Sequence, residues 1–204
     1  RDFCLSRGLG DVYKRQKGYR GMNEKFFDLK KEKQDRMINA SLKVFAMNGY
    51  AHASTDDIVR EAGISKGLLF HYFVSKLGLY SFIYDYSIRY VILELTTGVD
   101  KEETDYFRLV GQIREAELQV MRNYPCMMLF LNNSRLENVN EVLLETEDKR
   151  NILSEKYAQI LSQATGEELD ERLSREQLSE MIRFTTEGPV SYTHLRAHET
   201  GRNL

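Results

Sequence analysis

The sequence predicts an all-α protein, with an N-terminal three-helix domain that contains a helix-turn-helix and a helical bundle after it. Apolar residues recur at helical spacing over several segments, and the breaks between them fall at Asn, Gly and Pro. No segment shows sustained two-residue alternation, so no strand is predicted. The chain has 204 residues, 42% hydrophobic and 29% charged, as in ordinary globular proteins. It has no run of about twenty apolar residues, so no membrane partner is expected.

The two ends of the chain are expected to lie outside the native fold. Permitted codons for residues 6–16 (SRGLGDVYKRQ) give a DNA segment whose reverse complement encodes residues 190–199 (VSYTHLRAHE). Selection on a protein has no reason to produce this relation, and the segment resembles the adapter DNA that transposase ligates in sequencing-library preparation. We therefore expect residues 1–21 to be translated adapter and leader, residues 190–204 to be translated adapter, and the last native helix to be missing.

Metal binding is the first function that this interpretation removes. His194 and His198 lie four residues apart, the spacing at which one helix face offers two imidazoles to a metal. Both belong to the adapter segment, so the sequence predicts no metal site and no cofactor. Cys4 and Cys126 form neither a disulfide framework nor a zinc-ligand pattern. The N-terminus lacks the apolar core of a signal peptide, which favours a cytoplasmic protein.

Residues 26–76 are predicted to form a long helix and two short ones before a further helix begins. The long helix covers residues 26–47 and ends at Asn48-Gly49. Ser54, with Asp57 three residues later, predicts a capping-box start for a helix that Gly63 ends. Two more serines are predicted N-caps, Ser65 for the second short helix and Ser75 for the helix that begins at Lys76.

The two short helices fit a helix-turn-helix, in which a glycine forms the turn and a small residue allows close approach. Its predicted apolar core and turn consist of Ile58, Ala62, Gly63, Ile64 and Leu69. The second helix would present to a DNA major groove the side chains of Lys66, Gly67, Leu68, His71 and Tyr72. A plain helical hairpin is the alternative; it explains the apolar positions but not the small residues or the Lys/His/Tyr face.

The run from Arg36 to Leu79 resembles the DNA-binding domain of the tetracycline-repressor (TetR) family of bacterial transcription regulators. The matching residues are Ile38, Ala40, Phe45, Gly49-Tyr50, Thr55, Asp57-Ile58, Ala62-Gly63-Ile64-Ser65-Lys66-Gly67, Leu69, His71-Tyr72-Phe73, Ser75-Lys76 and Leu79. The resemblance implies a DNA-binding domain over residues 22–76, and an effector-binding and dimerisation domain over residues 77–189. It also implies a homodimer on a near-palindromic operator, released by an unidentified small molecule.

The resemblance also implies roles for single residues. Thr55 and Lys76 would each bind a phosphate, whereas Gly67 would let the recognition helix lie close to DNA. Residues of that helix expected to contact DNA are Ser65, Lys66, Leu68, His71 and Tyr72. Phe70 replaces a tyrosine that commonly donates to phosphate, so that contact is lost or replaced. Leu68 could meet a thymine methyl or pack, and His71 could contact DNA or pack.

The remaining helices are predicted over residues 76–97, 101–123, 125–134, 138–164 and 174–187. By the family resemblance, side chains that could line an effector cavity are Tyr86, Tyr90, Phe107, Met121 and Met128. An aromatic and methionine stripe at helical spacing is also typical of plain core. Candidate dimer contacts are Leu178, Met181 and Ile182, in the helix over residues 174–187.

The net charge differs between the predicted DNA-binding domain and the rest of the chain. Residues 22–76 hold nine Lys and Arg against seven Asp and Glu, a net charge of +2, whereas residues 100–188 hold eleven against nineteen, a net charge of −8. No Gly-rich phosphate loop or catalytic triad motif occurs, so we do not predict an enzyme. The resemblance to the TetR family implies a ligand-responsive repressor. A structural or cell-division protein of the same fold remains the alternative, with a small helical enzyme less favoured.

Overall fold

The computed structural model describes residues 24–165, which form helices joined by short loops; no strand occurs in this range, in agreement with the predicted all-α class. The α-helices of the described range are α1 (Lys31–His52), α2 (Thr55–Ala62), α3 (Lys66–Phe73), α4 (Lys76–Gly98), α5 (Tyr106–Asn123), α6 (Met127–Ser134), α7 (Asn140–Thr146) and α8 (Ile152–Leu161). Two 3₁₀ helices, Glu24–Asp28 and Glu147–Lys149, precede α1 and follow α7. We call residues 24–76 the head and residues 77–165 the body.

Serine side chains cap the N-termini of α2, α3 and α4. Ser54 accepts a hydrogen bond from the Asp56 amide (3.1 Å), and Ser65 accepts one from the Leu68 amide (3.3 Å). Ser75 caps α4 in the same way, through the Gly78 amide at 3.0 Å. All three predicted N-caps are therefore confirmed. In a capping box, the Asp57 side chain would bond back to the Ser54 amide. This part of the prediction is wrong, because the Asp57 carboxylate instead forms an ion pair with Arg60, one turn further along α2.

Helix α1 starts later than predicted and breaks where predicted. Residues 24–28 wind as a separate 3₁₀ helix that buries Phe26 among the rings of Tyr72, Phe73 and Phe82, so the α-helix begins only at residue 31. At the other end Gly49 has φ 64° and ψ 174°, a conformation that interrupts the helix before its last short turn. The break at Asn48-Gly49 is thus confirmed.

Helix α4 is the long element that joins the head to the body. It packs against α1 and α3 of the head, and against α5, α6, α7 and α8 of the body. Most of its length is buried, including an aromatic row at Tyr80, Phe82, Tyr84, Tyr86 and Tyr90. A displacement of α4 would therefore change packing contacts in both the head and the body.

Two other body helices differ from the predicted bounds. Helix α5 begins at Tyr106 instead of residue 101, because the Asp105 carboxylate caps it by accepting from the Arg108 amide at 2.9 Å. The helix predicted over residues 138–164 is interrupted between α7 and α8. Thr146 and Asn151 flank this break, and both residue types disfavour a helix interior.

The described residues up to Ala164 belong to one compact unit. The predicted boundary after residue 76 falls at the first residue of α4, inside this unit, so the division into two domains stays a prediction. In the part of the chain that the structure describes, no helix is both long and apolar enough to cross a bilayer. The predicted helix over residues 174–187 and the two adapter-like ends lie outside the described residues.

Candidate nucleic-acid interface

The predicted helix-turn-helix is built by α2 and α3, which pack on each other and on the rest of the head. Ile58 and Ala62 of α2 and Leu69 of α3 are buried, with exposed fractions of 0%, 1% and 1%. Ile64, in the turn, is half-buried. Burial of these side chains on facing helices holds the second helix at a fixed angle to the first.

Gly63 forms the turn between the two helices. Its φ of 62° and ψ of 43° lie in the left-handed region, which suits glycine. The Ile64 amide donates to the Val59 carbonyl at 3.0 Å, across the end of α2. This is the Schellman arrangement, and it aims the chain directly into Ser65, the N-cap of α3.

Helix α3 has one buried face and one exposed face. Leu69 and Phe73 point into the head, whereas Lys66, Gly67 and His71 are exposed on the other side. Ser65 is exposed, and Leu68 and Phe70 are half-buried between the two faces. The exposed face thus carries Lys66, Gly67 and His71, three of the eight residues that the sequence predicted for DNA contact.

Tyr72 is the exception among these residues. Only 7% of its surface is exposed, and its ring centroid lies 5.8 Å from that of Phe26 in an edge-to-face contact. The residue follows His71 but falls on the buried side of the helix. We therefore assign the Tyr72 ring to the core of the head, and not to the surface that faces solvent.

Lys66 has a partner that the sequence did not reveal. Its ammonium nitrogen lies 2.8 Å from an Asp56 carboxylate oxygen, across the junction between α2 and α3. Half or more of each side chain is exposed, so the pair is weak and solvated. A phosphate could displace Asp56 at small cost. Ten residues separate the two, and no local sequence signal marks such a pair.

Lys76 and Thr55, the two predicted phosphate ligands, lie at the N-termini of α4 and α2. Thr55 is half-buried. The Lys76 ammonium lies 4.5 Å from the centroid of the Tyr50 ring and donates to the Ala51 carbonyl at 3.4 Å. Burial lowers the pKa of Lys76, an effect that the neighbouring carboxylates of Glu141 and Glu137 oppose. In this structure Lys76 is thus held against the end of α1.

The five candidates for an effector cavity differ in burial and lie on three helices, α4, α5 and α6. Tyr86 and Tyr90 are buried and stack on each other, and both rings meet Tyr124 edge-on. Phe107 is 55% exposed at the start of α5. Met121 and Met128 are half-buried on α5 and α6. These ring contacts fill the space between the tyrosines, and the role of the five residues in an effector pocket stays a prediction.

Two sets of predicted residues cannot be placed. The dimer candidates Leu178, Met181 and Ile182 lie outside the described residues, as do His194 and His198. Among the described residues, no three His, Cys, Asp or Glu side chains gather as metal ligands would.

Comparison with known proteins agrees with the geometry of the head: a helix-turn-helix with an exposed second helix. Residues 37–81 match the family model described as bacterial regulatory proteins, tetR family. The head is therefore similar to the DNA-binding region of bacterial regulatory proteins of the tetR family. The match begins within α1 and ends within α4, so it contains the whole motif.

Individual relatives match over part of their length. The HTH-type transcriptional regulator YuxN of Bacillus subtilis (strain 168) is 38% identical over 93 residues, which are 44% of this chain and 32% of that protein. The chain therefore spans about a third of that relative. A tetR family transcription regulator structure from Shewanella sp. PV-4 has a TM-score of 0.53 at 20% identity, over 85% of this chain and 92% of that one. A TetR-like transcriptional regulator from Rhodococcus sp. RHA1 has a TM-score of 0.50 at 22% identity, over 65% and 71%. The two structures agree with the fold.

Proposed function

We propose that the protein is a cytoplasmic transcriptional repressor that binds DNA through the exposed face of α3 and releases it when a small molecule binds the body. One observation carries the DNA-binding part: α3 is anchored by buried Leu69 and Phe73 and leaves Lys66, Gly67 and His71 in solvent. A capped helix fixed at an angle and exposed along one side suits the major groove.

Gly67 supports this assignment. A Cβ atom at this position would meet no heavy atom within 4 Å, so nothing inside the protein requires a glycine. Glycine in a helix costs about 1 kcal/mol relative to alanine. At this exposed position of α3, a residue without a side chain would allow close approach of a DNA backbone or base edge.

Two heads would bind together in a homodimer. A two-fold dimer presents two recognition helices to successive major-groove faces and therefore requires a near-palindromic operator. The similarity of residues 37–81 to the tetR family model supports this arrangement. The residues that we propose for the dimer contact, Leu178, Met181 and Ile182, belong to the predicted helix over residues 174–187.

Release of DNA would proceed through the hydrogen bonds that join the body to the C-terminal end of α1. The Glu137 carboxylate accepts a hydrogen bond from the Tyr50 amide at 2.9 Å, just after the break at Gly49. The Asn133 side-chain amide donates to the Ala46 carbonyl at 2.8 Å, on the other side of the break. A ligand that moves α6 or α4 would shift these contacts and change the spacing of the two heads.

The test is DNA binding by the full chain, measured by fluorescence anisotropy with a duplex from upstream of its own gene. We expect affinity that falls steeply with salt, because each neutralised phosphate adds about 0.9 to the slope of log K against log salt. Lys66→Ala and Lys76→Ala should each flatten that slope by about one unit per head. Thr55→Ala should weaken binding with little change in slope.

Lys101→Ala provides the matched control, since Lys101 is an exposed lysine of the body. Its slope should equal that of the unmodified chain. Absence of a complex at low salt, or equal slopes for the Lys66, Lys76 and Lys101 variants, would contradict the proposal.

A further inference from the structure

A cavity of about 310 Å³ lies in the body, between α4, the loop after α6 and the start of α8. It is lined by Tyr84, Arg135, Arg150, Asn151 and Ser154. Its volume is at the lower end of the range for small-molecule sites. None of the five candidates from the sequence (Tyr86, Tyr90, Phe107, Met121 and Met128) is among its described lining residues, which come from three separate segments that folding brings together.

The charge of this cavity is unusual for the body in which it lies. The body is acidic as a whole, yet among the described residues that line the cavity two of five are arginines and none is acidic. Among the described residues, neither arginine forms an ion pair with a carboxylate. Arg150 donates to the Ser134 carbonyl at 3.4 Å, a long contact that leaves most of its donors unused.

The other lining groups can add hydrogen bonds. Tyr84 is buried, with an exposed fraction of 6%, and burial raises the pKa of its phenol while Arg150 and Arg135 act in the opposite direction. A protonated phenol can donate a hydrogen bond to an anion. Asn151 is the N-cap residue of α8, and the Ser154 hydroxyl donates to the Asn151 carbonyl at 2.8 Å. The start of α8 adds a favourable field for negative charge.

We propose that this cavity binds a small organic anion, a carboxylate or a phosphate monoester, held by Arg135 and Arg150 with Tyr84 as a third donor. Planar guanidinium groups match both anions through paired N–H donors, whereas two converging arginines without a carboxylate repel cations. Both anions share this chemistry, and the test below distinguishes them.

The position of the cavity suits an effector site, a role that rests on the proposed function. Tyr84 lies one turn from Tyr80 on α4, and the two rings stack with centroids 6.5 Å apart. Tyr80 meets Tyr50 edge-on at 5.4 Å, beside the ammonium of Lys76. The loop that carries Arg135 into the cavity also carries Glu137 to the Tyr50 amide. An anion in the cavity would thus shift both the contact of Tyr80 with the Tyr50 ring and the hydrogen bond of Glu137 to the Tyr50 amide.

Binding is tested on the full chain without DNA, by isothermal titration with benzoate, phenyl phosphate and the neutral benzamide. We expect at least one of the two anions to bind at least about tenfold more tightly than benzamide. Preference for benzoate identifies a carboxylate ligand, and preference for phenyl phosphate identifies a phosphate ligand. Arg135→Ala should weaken the preferred anion about 10- to 100-fold, the effect of losing a charged hydrogen-bonding partner.

Arg108→Ala is the matched control, because Arg108 is a mostly exposed arginine of α5 outside the cavity. It should leave anion binding unchanged. Arg135→Ala removes no hydrogen bond or ion pair within the described residues, and an unchanged thermal melt will confirm that the variant folds. Arg150→Lys, which keeps the charge but not the planar fork, should weaken binding less than Arg135→Ala.

Three results would overturn the proposal: no anion binding, equal binding of benzamide, or equal affinities for the Arg135→Ala and Arg108→Ala variants. These results are independent of the proposed function, which is judged by DNA binding alone. Anion binding that leaves DNA affinity unchanged would keep the site and remove its effector role.

Discussion

The head and the body use polar side chains in opposite ways. In the head, charged groups lie at the surface and serine hydroxyls begin the helices, as at Ser54 and Ser65. In the body, polar groups are buried against one another: the hydroxyls of Tyr86 and Tyr124 lie 2.8 Å apart, and Tyr124 donates to Asp35 of α1 at 2.9 Å. Exposed polar groups of the head can therefore change with little effect on its fold, whereas loss of the buried hydroxyls of Tyr86 or Tyr124 should lower the stability of the body.

Alkaline pH should affect the body most. Burial raises the pKa of Tyr50 in the head and of six tyrosines in the body: Tyr80, Tyr84, Tyr86, Tyr90, Tyr124 and Tyr157. Above pH 10, their ordinary pKa, the unfolded chain releases protons that the folded chain keeps. Stability is thus fully present below this pH and is lost as pH rises above it.

A titration followed by both circular dichroism and tyrosinate absorbance will check this. We expect the buried phenols to ionise together with loss of helical signal. Gradual ionisation of all tyrosines while the helical signal stays native would contradict it.

Two neighbouring leucines of α3 separate stability from recognition in the head. Leu69→Ala should lower the free energy of unfolding by about 2–5 kcal/mol, because it leaves a cavity in the core between α2 and α3. Leu68→Ala, next to it and half-buried on the other side, should cost less in stability and act on DNA affinity instead. Urea unfolding of both variants, compared with their DNA affinities, measures the separation. Equal losses of stability would show that α3 has no distinct faces.

Two glycines of the same motif should respond in opposite directions. Gly63→Ala places a side chain at positive φ and should cost about 1–2 kcal/mol; its methyl group would lie 3.7 Å from Arg36, so backbone strain and not collision is responsible. Gly67→Ala should stabilise the chain by up to about 1 kcal/mol, since alanine favours the helix and the space is open. The Gly67 variant should nevertheless bind DNA less well. Thermal unfolding and anisotropy of both variants would refute this if Gly67→Ala improved or preserved DNA affinity.

The smallest expected effect concerns the ion pair between Lys66 and Asp56. Asp56→Asn frees the Lys66 ammonium for phosphate and should raise DNA affinity by about 2- to 5-fold, in keeping with a solvated pair worth less than about 1 kcal/mol. Asp57→Asn is the control: it removes the same charge from α2 but leaves the Lys66 pair in place. Anisotropy at one salt concentration compares the two. A gain of equal size in both variants would show that total charge, and not the release of Lys66, is responsible.

The head could be predicted from the sequence because its structure is set locally. Ser54, Gly63 and Ser65 act on backbone groups within a few residues, so their spacing alone marks the ends of α2 and α3. The predicted exposure of Tyr72 towards DNA is wrong because helical spacing alone does not show whether a residue at the border of the buried face is covered by another element. The ring that covers it belongs to Phe26, which was expected to lie in a longer α1.

The body could be predicted only as a set of helices. Its cavity combines Tyr84, Arg135 and Arg150, which are far apart in the chain and whose approach depends on how α4, α6 and α8 pack. Aromatic residues such as Tyr86 and Tyr90 suggested a pocket by type, yet packing against Tyr124 closes the space between them. Periodicity identifies which residues are buried but not which of them leave a space.

The central claim is that the exposed face of α3 reads DNA sequence, and selection from a random-sequence duplex pool tests it most directly. The full chain should enrich a near-palindromic sequence. His71→Ala should relax the preference at particular positions of each half-site, while Lys101→Ala should return the same sequence as the unmodified chain. Enrichment of no sequence, or of one sequence unaffected by changes at Lys66, Leu68 and His71, would contradict the claim.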